Sequence, residues 1–152
     1  MKKKHLSMSL AAVLFASYTL TAFSQARPET QVKQRQAAMA LQGKYFYPML
    51  NMARGKIPYD ANVIPRNSGF LEALSKMPWD NFTPNTKDVK SGAVPVVYTE
   101  TAKFQDAQKA FEGEVTKLVS VSKGGAEAAI KMQILAVDKA CNSCHDTFRE
   151  RQ

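Results

Sequence analysis

Residues 126–149 read AEAAIKMQILAVDKACNSCHDTFR. Within this stretch Ile130, Ile134, Val137, Cys141, Cys144 and Phe148 recur at alternating steps of four and three without a miss. That spacing puts all six side chains on one stripe of an α-helix, since residues three and four apart are neighbours on its surface. Lys123-Gly124-Gly125 interrupts the pattern just before it, so a last helix is predicted from about Ala126. A stripe of this kind has to be buried against other helices.

Working outward, Phe104, Phe111, Val115 and Leu118 carry the same spacing and predict a third helix. Residues from about Asp80 to Pro95 hold Pro84, Asn85 and Gly92 with little periodicity, and read as a longer loop. A second helix is predicted from Asp60, as its cap, to about Met77, with Val63, Phe70, Leu74 and Met77 inward and Pro65 near its start. Pro78 and Trp79 close it. The first helix starts at Pro28-Glu29, a residue pair suited to a first turn, and ends at Gly55. Its seam is predicted to be Val32, Gln36, Met39, Gly43, Phe46, Leu50 and Ala53, with Pro48 kinking or splitting it. No segment alternates with period two. The fold class is therefore all-α, an antiparallel four-helix bundle, because most connections are short.

The first residues are of another kind. Met1-Lys2-Lys3-Lys4-His5 precedes an uncharged apolar run to about Phe23, followed by small residues at Ala22 and Ser24. This is the pattern of a secretory signal peptide over residues 1–24, cleaved after Ser24 or after Ala26. The run is broken by Ser17, Thr19 and Thr21 and is short for a membrane span. The expected mature chain, residues 25–152, is the size of one domain and needs no staples. Loss of three lysines takes the formal charge from +8 to +5. No basic stripe with interleaved aromatics is present, which argues against nucleic acid, while a mildly basic surface suits acidic redox partners.

Cys141-Asn142-Ser143-Cys144-His145 has the C-x-x-C-H form of c-type haem attachment. Thiols three apart on one helical face can both reach the vinyl groups on one edge of a porphyrin, and the adjoining imidazole can turn to the iron, as a proximal histidine does. Structural zinc needs four ligands, and the mature chain has two cysteines and one histidine. A redox dithiol belongs at a helix N-terminus in a βαβ unit, and a plain disulfide leaves His145 unexplained. Haem c with iron held by Cys141, Cys144 and His145, near the C-terminal end of the last helix, is the favoured reading. Because His145 is the one histidine of residues 25–152, bis-histidine ligation within the chain is excluded.

The arrangement resembles the class II c-type cytochromes, meaning cytochrome c' and its low-spin, methionine-ligated relatives. The resemblance rests on Arg35-Gln36-Ala37-Ala38-Met39 in the first helix, Gly55 to Asp60 in the first turn, Leu74 to Trp79 at the end of the second helix, and Cys141 to Arg149. It implies that Arg35 and Gln36 lie near a haem propionate, that Trp79 packs near the haem edge or in the core, and that Arg149, one turn beyond His145, flanks the imidazole. It also implies that Met39 faces the distal side of the haem. If Met39 ligates iron, the protein is an electron-transfer cytochrome with periplasmic redox partners, and this is the assignment favoured here. If it does not, a five-coordinate haem binds nitric oxide or carbon monoxide. A cofactor-free helical module with a disulfide is a third, lesser reading. No acid–base pair or activated nucleophile suggests an enzyme. A homodimer is suggested by analogy alone.

Overall fold

The computed structural model describes residues 26–151. The signal-peptide expectation for residues 1–24 lies outside the described residues.

Helix α1 runs Pro28–Ala53, with Pro28 in its first turn and Glu29 beside the positive end of the helix dipole. It ends in a Schellman closure: the amide of Lys56 donates to the carbonyl of Asn51 at 2.9 Å and that of Gly55 to Met52 at 3.1 Å. Gly55 adopts φ +69° to make this turn. The chain reverses into α2, Val63–Ser75. Asp60 braces that entry by accepting from the Asn62 amide at 2.8 Å, two residues outside the position expected of a cap. The connector then makes two tight turns, Trp79–Asn81 and Pro84–Thr86, and a single-turn helix α3, Val96–Thr99. The long helices α4, Thr101–Ser122, and α5, Glu127–Phe148, complete the chain.

The four long elements pack in the cyclic order α1–α2–α4–α5, each against its two neighbours. Pairings run in opposite senses: Gln42 of α1 bonds to Leu74 of α2 while Asn67 bonds to Tyr45. Between α4 and α5, Gln133 bonds to Glu114 while Phe104 meets Phe148. This is the antiparallel four-helix bundle expected.

The main core is aliphatic. Ile130, Ile134 and Val137 of α5 meet Val115 and Leu118 of α4, Ile64 and Leu71 of α2, and Met49 and Leu50 of α1. The predicted stripes of α4 and α5 are therefore the buried ones. Those of α1 and α2 are only partly so: Val32, Phe46, Leu50 and Leu74 are buried as expected, the others less so or not at all. On α2, Phe70 is 46 % exposed and Met77 56 % exposed, and the buried positions are Ile64, Asn67, Ser68, Leu71 and Leu74. Asn67 and Ser68 are tolerated there because each finds a backbone carbonyl, Tyr45 at 3.1 Å and Ile64 at 2.7 Å. Phe70 instead lies on Tyr45 at the surface, with ring centroids 4.7 Å apart. On α1 the buried residues include Val32, Phe46 and Leu50 of the predicted seam, together with Arg35, Ala38, Gln42 and Met49. Gln36, Met39 and Gly43, predicted as seam, line a cavity. Pro48 does not split the helix, which runs on to Ala53.

Candidate haem site

Near the end of the bundle where α5 finishes, α1 and α5 stand apart around a cavity of about 690 Å³. One wall is α1, presenting Gln36, Met39, Gly43 and Tyr47; the other is α5, presenting Asp138, Cys141, Cys144 and His145. Leu71, Trp79, Phe82, Phe104 and Phe111 line the space between them. All eight residues singled out from the sequence, Arg35, Gln36, Met39, Trp79, Cys141, Cys144, His145 and Arg149, line this one cavity.

Cys141 and Cys144 are half-buried on the inward face of the last turns of α5, and their thiols are free. Cys141 packs against the aliphatic core and Cys144 against the aromatic cluster of Phe104 and Phe148. Burial pushes the Cys141 thiol up to about 12, helped by the nearby Asp138 carboxylate and by Cys144. Burial also raises Cys144. Both sit at the negative end of the helix dipole, the reverse of a redox dithiol's setting. Burial, followed by the Arg149 charge, lowers the pKa of His145, with Asp146 opposing; a neutral imidazole is the form that ligates a metal.

Arg35 is 3 % exposed, yet none of its hydrogen-bond partners is a carboxylate. One guanidinium nitrogen donates to the Asn81 carbonyl at 2.9 Å, Thr86 Oγ1 at 2.9 Å and Tyr98 Oη at 3.2 Å. The other donates to Ser91 Oγ at 3.0 Å. The guanidinium also lies 4.3 Å from the centroid of Phe82. Arg35 thus gathers the whole connector onto α1, a structural role that its place in a sequence motif did not reveal. Gln36 is exposed on the cavity wall.

Trp79 packs in the core and lines the cavity. It stacks on Phe82 at 6.2 Å, meets Phe104 and Phe111 edge-on at 5.9 and 6.5 Å, and faces the cavity from the junction of the two cores. Arg149 follows α5 in extended conformation and forms a short antiparallel bridge with Ala93. The amide of Val94 donates to the Phe148 carbonyl at 3.2 Å and that of Glu150 to Gly92 at 2.8 Å. Phe82, Thr86, Ser91 and Asp138 are site residues that sequence reasoning missed. Phe82, three residues after Trp79 in a loop otherwise poor in apolar residues, was the one available signal.

The donor set fits a covalent haem. Two thiols on one helical face and an imidazole border an apolar cavity of ligand size, with a buried cation lacking an anionic partner at its edge. Among the described residues no three His, Cys, Asp or Glu side chains gather as a structural metal site would require.

Comparison with known proteins agrees. The family described as Cytochrome C' matches residues 30–149. Cytochrome c' of Rubrivivax gelatinosus is 36 % identical over 126 residues, 82 % of this chain and 98 % of that one. Cytochrome c prime from Shewanella frigidimarina superposes with a TM-score of 0.80 at 28 % identity, covering 84 % of this chain and 99 % of its own. Cytochrome c prime from Alcaligenes xylosoxidans, at 33 % identity, is known in a nitric oxide complex of one variant (TM-score 0.77, covering 84 % and 99 %). Another of its variants is known with carbon monoxide bound (TM-score 0.76, 83 % and 98 %).

Proposed function

The chain belongs to the cytochrome c' family and takes one covalent haem c with its iron; from that premise, we propose that it is an exported electron-transfer cytochrome. Cys141 and Cys144 would hold the haem covalently and His145 would ligate its iron. The haem supplies a one-electron ferric–ferrous couple. Cys141, Cys144 and His145 would hold the group at one helix end, and the aromatic walls of Trp79, Phe82, Phe104 and Phe111 would keep water from it. Arg35 offers a buried cation, and Gln36 a surface amide, to the propionates. Arg149 lies beside the imidazole and weakens its hold on a proton.

The observation that carries this reading is that Met39 and His145 line one cavity from opposite helices. Met39 and His145 would both be available to hold the iron, and a methionine ligand would raise the potential of the group toward one suited to passing electrons. Residues 1–24 are read as the signal that delivers the chain, as the domain 25–152, to the periplasm and its redox partners.

A second reading is favoured by the nitric oxide and carbon monoxide complexes of the Alcaligenes relative. Here Met39 only packs, and the α1 wall with Gly43 and Phe46 leaves an apolar pocket for a small neutral gas. His145 is the one histidine among the described residues, so the distal wall carries no imidazole to hold bound oxygen.

Absorption spectra of the purified holoprotein, oxidised and reduced, with and without carbon monoxide, separate the two. A low-spin spectrum with the far-red methionine-to-iron band, unshifted by carbon monoxide, is the expected result. A high-spin spectrum that shifts readily would replace electron transfer with gas binding. Absence of a haem spectrum would overturn both.

A further inference from the structure

Asp138 is the one acidic side chain on the cavity wall among the described residues, where the cations are Arg35, Lys44 and Arg149. It sits one helical turn before Cys141 and is only 18 % exposed. Its Oδ2 accepts from Arg54 Nη2 at 2.7 Å, and Arg54, 42 % exposed, is the residue that ends α1. The pair therefore joins the two helices that form the cavity's opposite walls. The field of this carboxylate reaches the attachment point, since Asp138 contributes to raising the Cys141 thiol.

We propose that the Arg54–Asp138 ion pair tunes the reduction potential of the haem, Asp138 favouring the ferric state and Arg54 cancelling part of that bias. The proposal rests on the reading that the haem is attached at Cys141 and Cys144. Its physics is the charge difference between the two oxidation states. Ferric haem carries one more positive charge than ferrous haem, so a fixed negative charge nearby stabilises it. The half-buried carboxylate is screened by solvent less than a surface charge is. Arg54 acts through Asp138 and is a positioning and compensating residue.

The test is a spectroelectrochemical titration of the holoprotein against one-electron mediators. Asp138→Asn is expected to shift the equilibrium toward ferrous haem by about three- to tenfold, a rise of about 28 to 59 mV. Arg54→Gln is expected to shift it the other way, by about two- to threefold, and Arg54→Lys to restore the original value. Both Asp138→Asn and Arg54→Gln break the same contact between α1 and α5. A purely structural role moves both potentials in one direction, and opposite signs identify the charge effect. Shifts of the same sign, or none in either variant, overturn the proposal. A haem stain of the denatured wild-type chain is run first. Lack of covalent haem there overturns the attachment reading and this inference with it, whereas a stained band with unmoved potentials overturns this inference alone.

Discussion

The two ends of the bundle are held together by different chemistry. Toward the far end, Ile64, Leu118, Ile134 and Val137 pack with Met49 and Leu50 in a largely aliphatic core. Around the cysteines, the side chains are aromatic and polar. Trp79 stacks on Phe82, Phe104 tilts against Phe82 and meets Phe148 edge-on, and one arginine holds the connector through four donated bonds. The aliphatic end supplies the stability of the fold. The aromatic end keeps a space open and gives its walls fixed positions, which a uniformly packed interior cannot do.

The sharpest way to separate the ends is to remove the thiols. Cys141→Ala with Cys144→Ala is expected to abolish covalent haem completely, read as loss of haem staining on a denaturing gel. Far-UV circular dichroism should still report a helical chain, because Cys141 only borders the aliphatic core and none of that core's buried residues is changed. Loss of helical signal would mean that the two ends are not independent.

A second pair of substitutions compares the ends directly in the cofactor-free chain. Ile134→Ala truncates a fully buried side chain and is expected to cost about 2–5 kcal/mol in urea unfolding. Met39→Ala, on the cavity wall, should cost less than about 1 kcal/mol, since half-exposed side chains lose little packing. Equal costs would break the distinction.

Arg35→Met comes next. Four donated bonds are lost and their oxygens stay largely out of water, at an expected cost of about 1.5–3 kcal/mol. The loss should be local, with amide exchange rising in residues 80–98 and not in α4 or the first half of α5.

The smallest effect belongs to the α4–α5 face. Glu114 accepts from Lys117 and Gln133, and these hydrogen bonds hold its pKa below the ordinary carboxylate value. Because the folded-state pKa is the lower one, the stabilisation is present above the unfolded pKa and is lost as pH falls through the folded one. Glu114→Gln is expected to cost less than about 1 kcal/mol at pH 7, discounted for solvent screening. Unfolding curves of the two proteins should converge below about pH 4.

How much of this was readable in advance follows the same division. On α4 and α5 the aliphatic and aromatic stripe is the buried stripe, so period alone located it, and C-x-x-C-H located the thiols and imidazole. On α1 the same period pointed to Gln36, Met39 and Gly43, and these line the cavity. A helix that faces both a core and a ligand has two inward faces, and hydrophobic spacing does not distinguish them. The true α1 seam was hidden because Arg35 and Gln42 occupy buried positions, made tolerable by partners 32 to 63 residues away. On α2, Asn67 and Ser68 hid the frame in the same way. Arg35, Gln42 and Asn67 are satisfied by partners distant in sequence and Ser68 by the Ile64 carbonyl of its own helix, so none of the four shows in the hydrophobic spacing.

The short bridge between residues 92–94 and 148–150 also bears on timing. The α4–α5 hairpin forms from contacts close in sequence, and so does the α1–α2 hairpin, whereas this bridge closes a loop of more than fifty residues. Once α4 lies against α5, Phe104 already meets Phe148, and only the stretch from Ala93 to Phe104 is left for the bridge to close. The bridge thus fixes the segment that follows the two cysteines against the connector that Arg35 holds on α1.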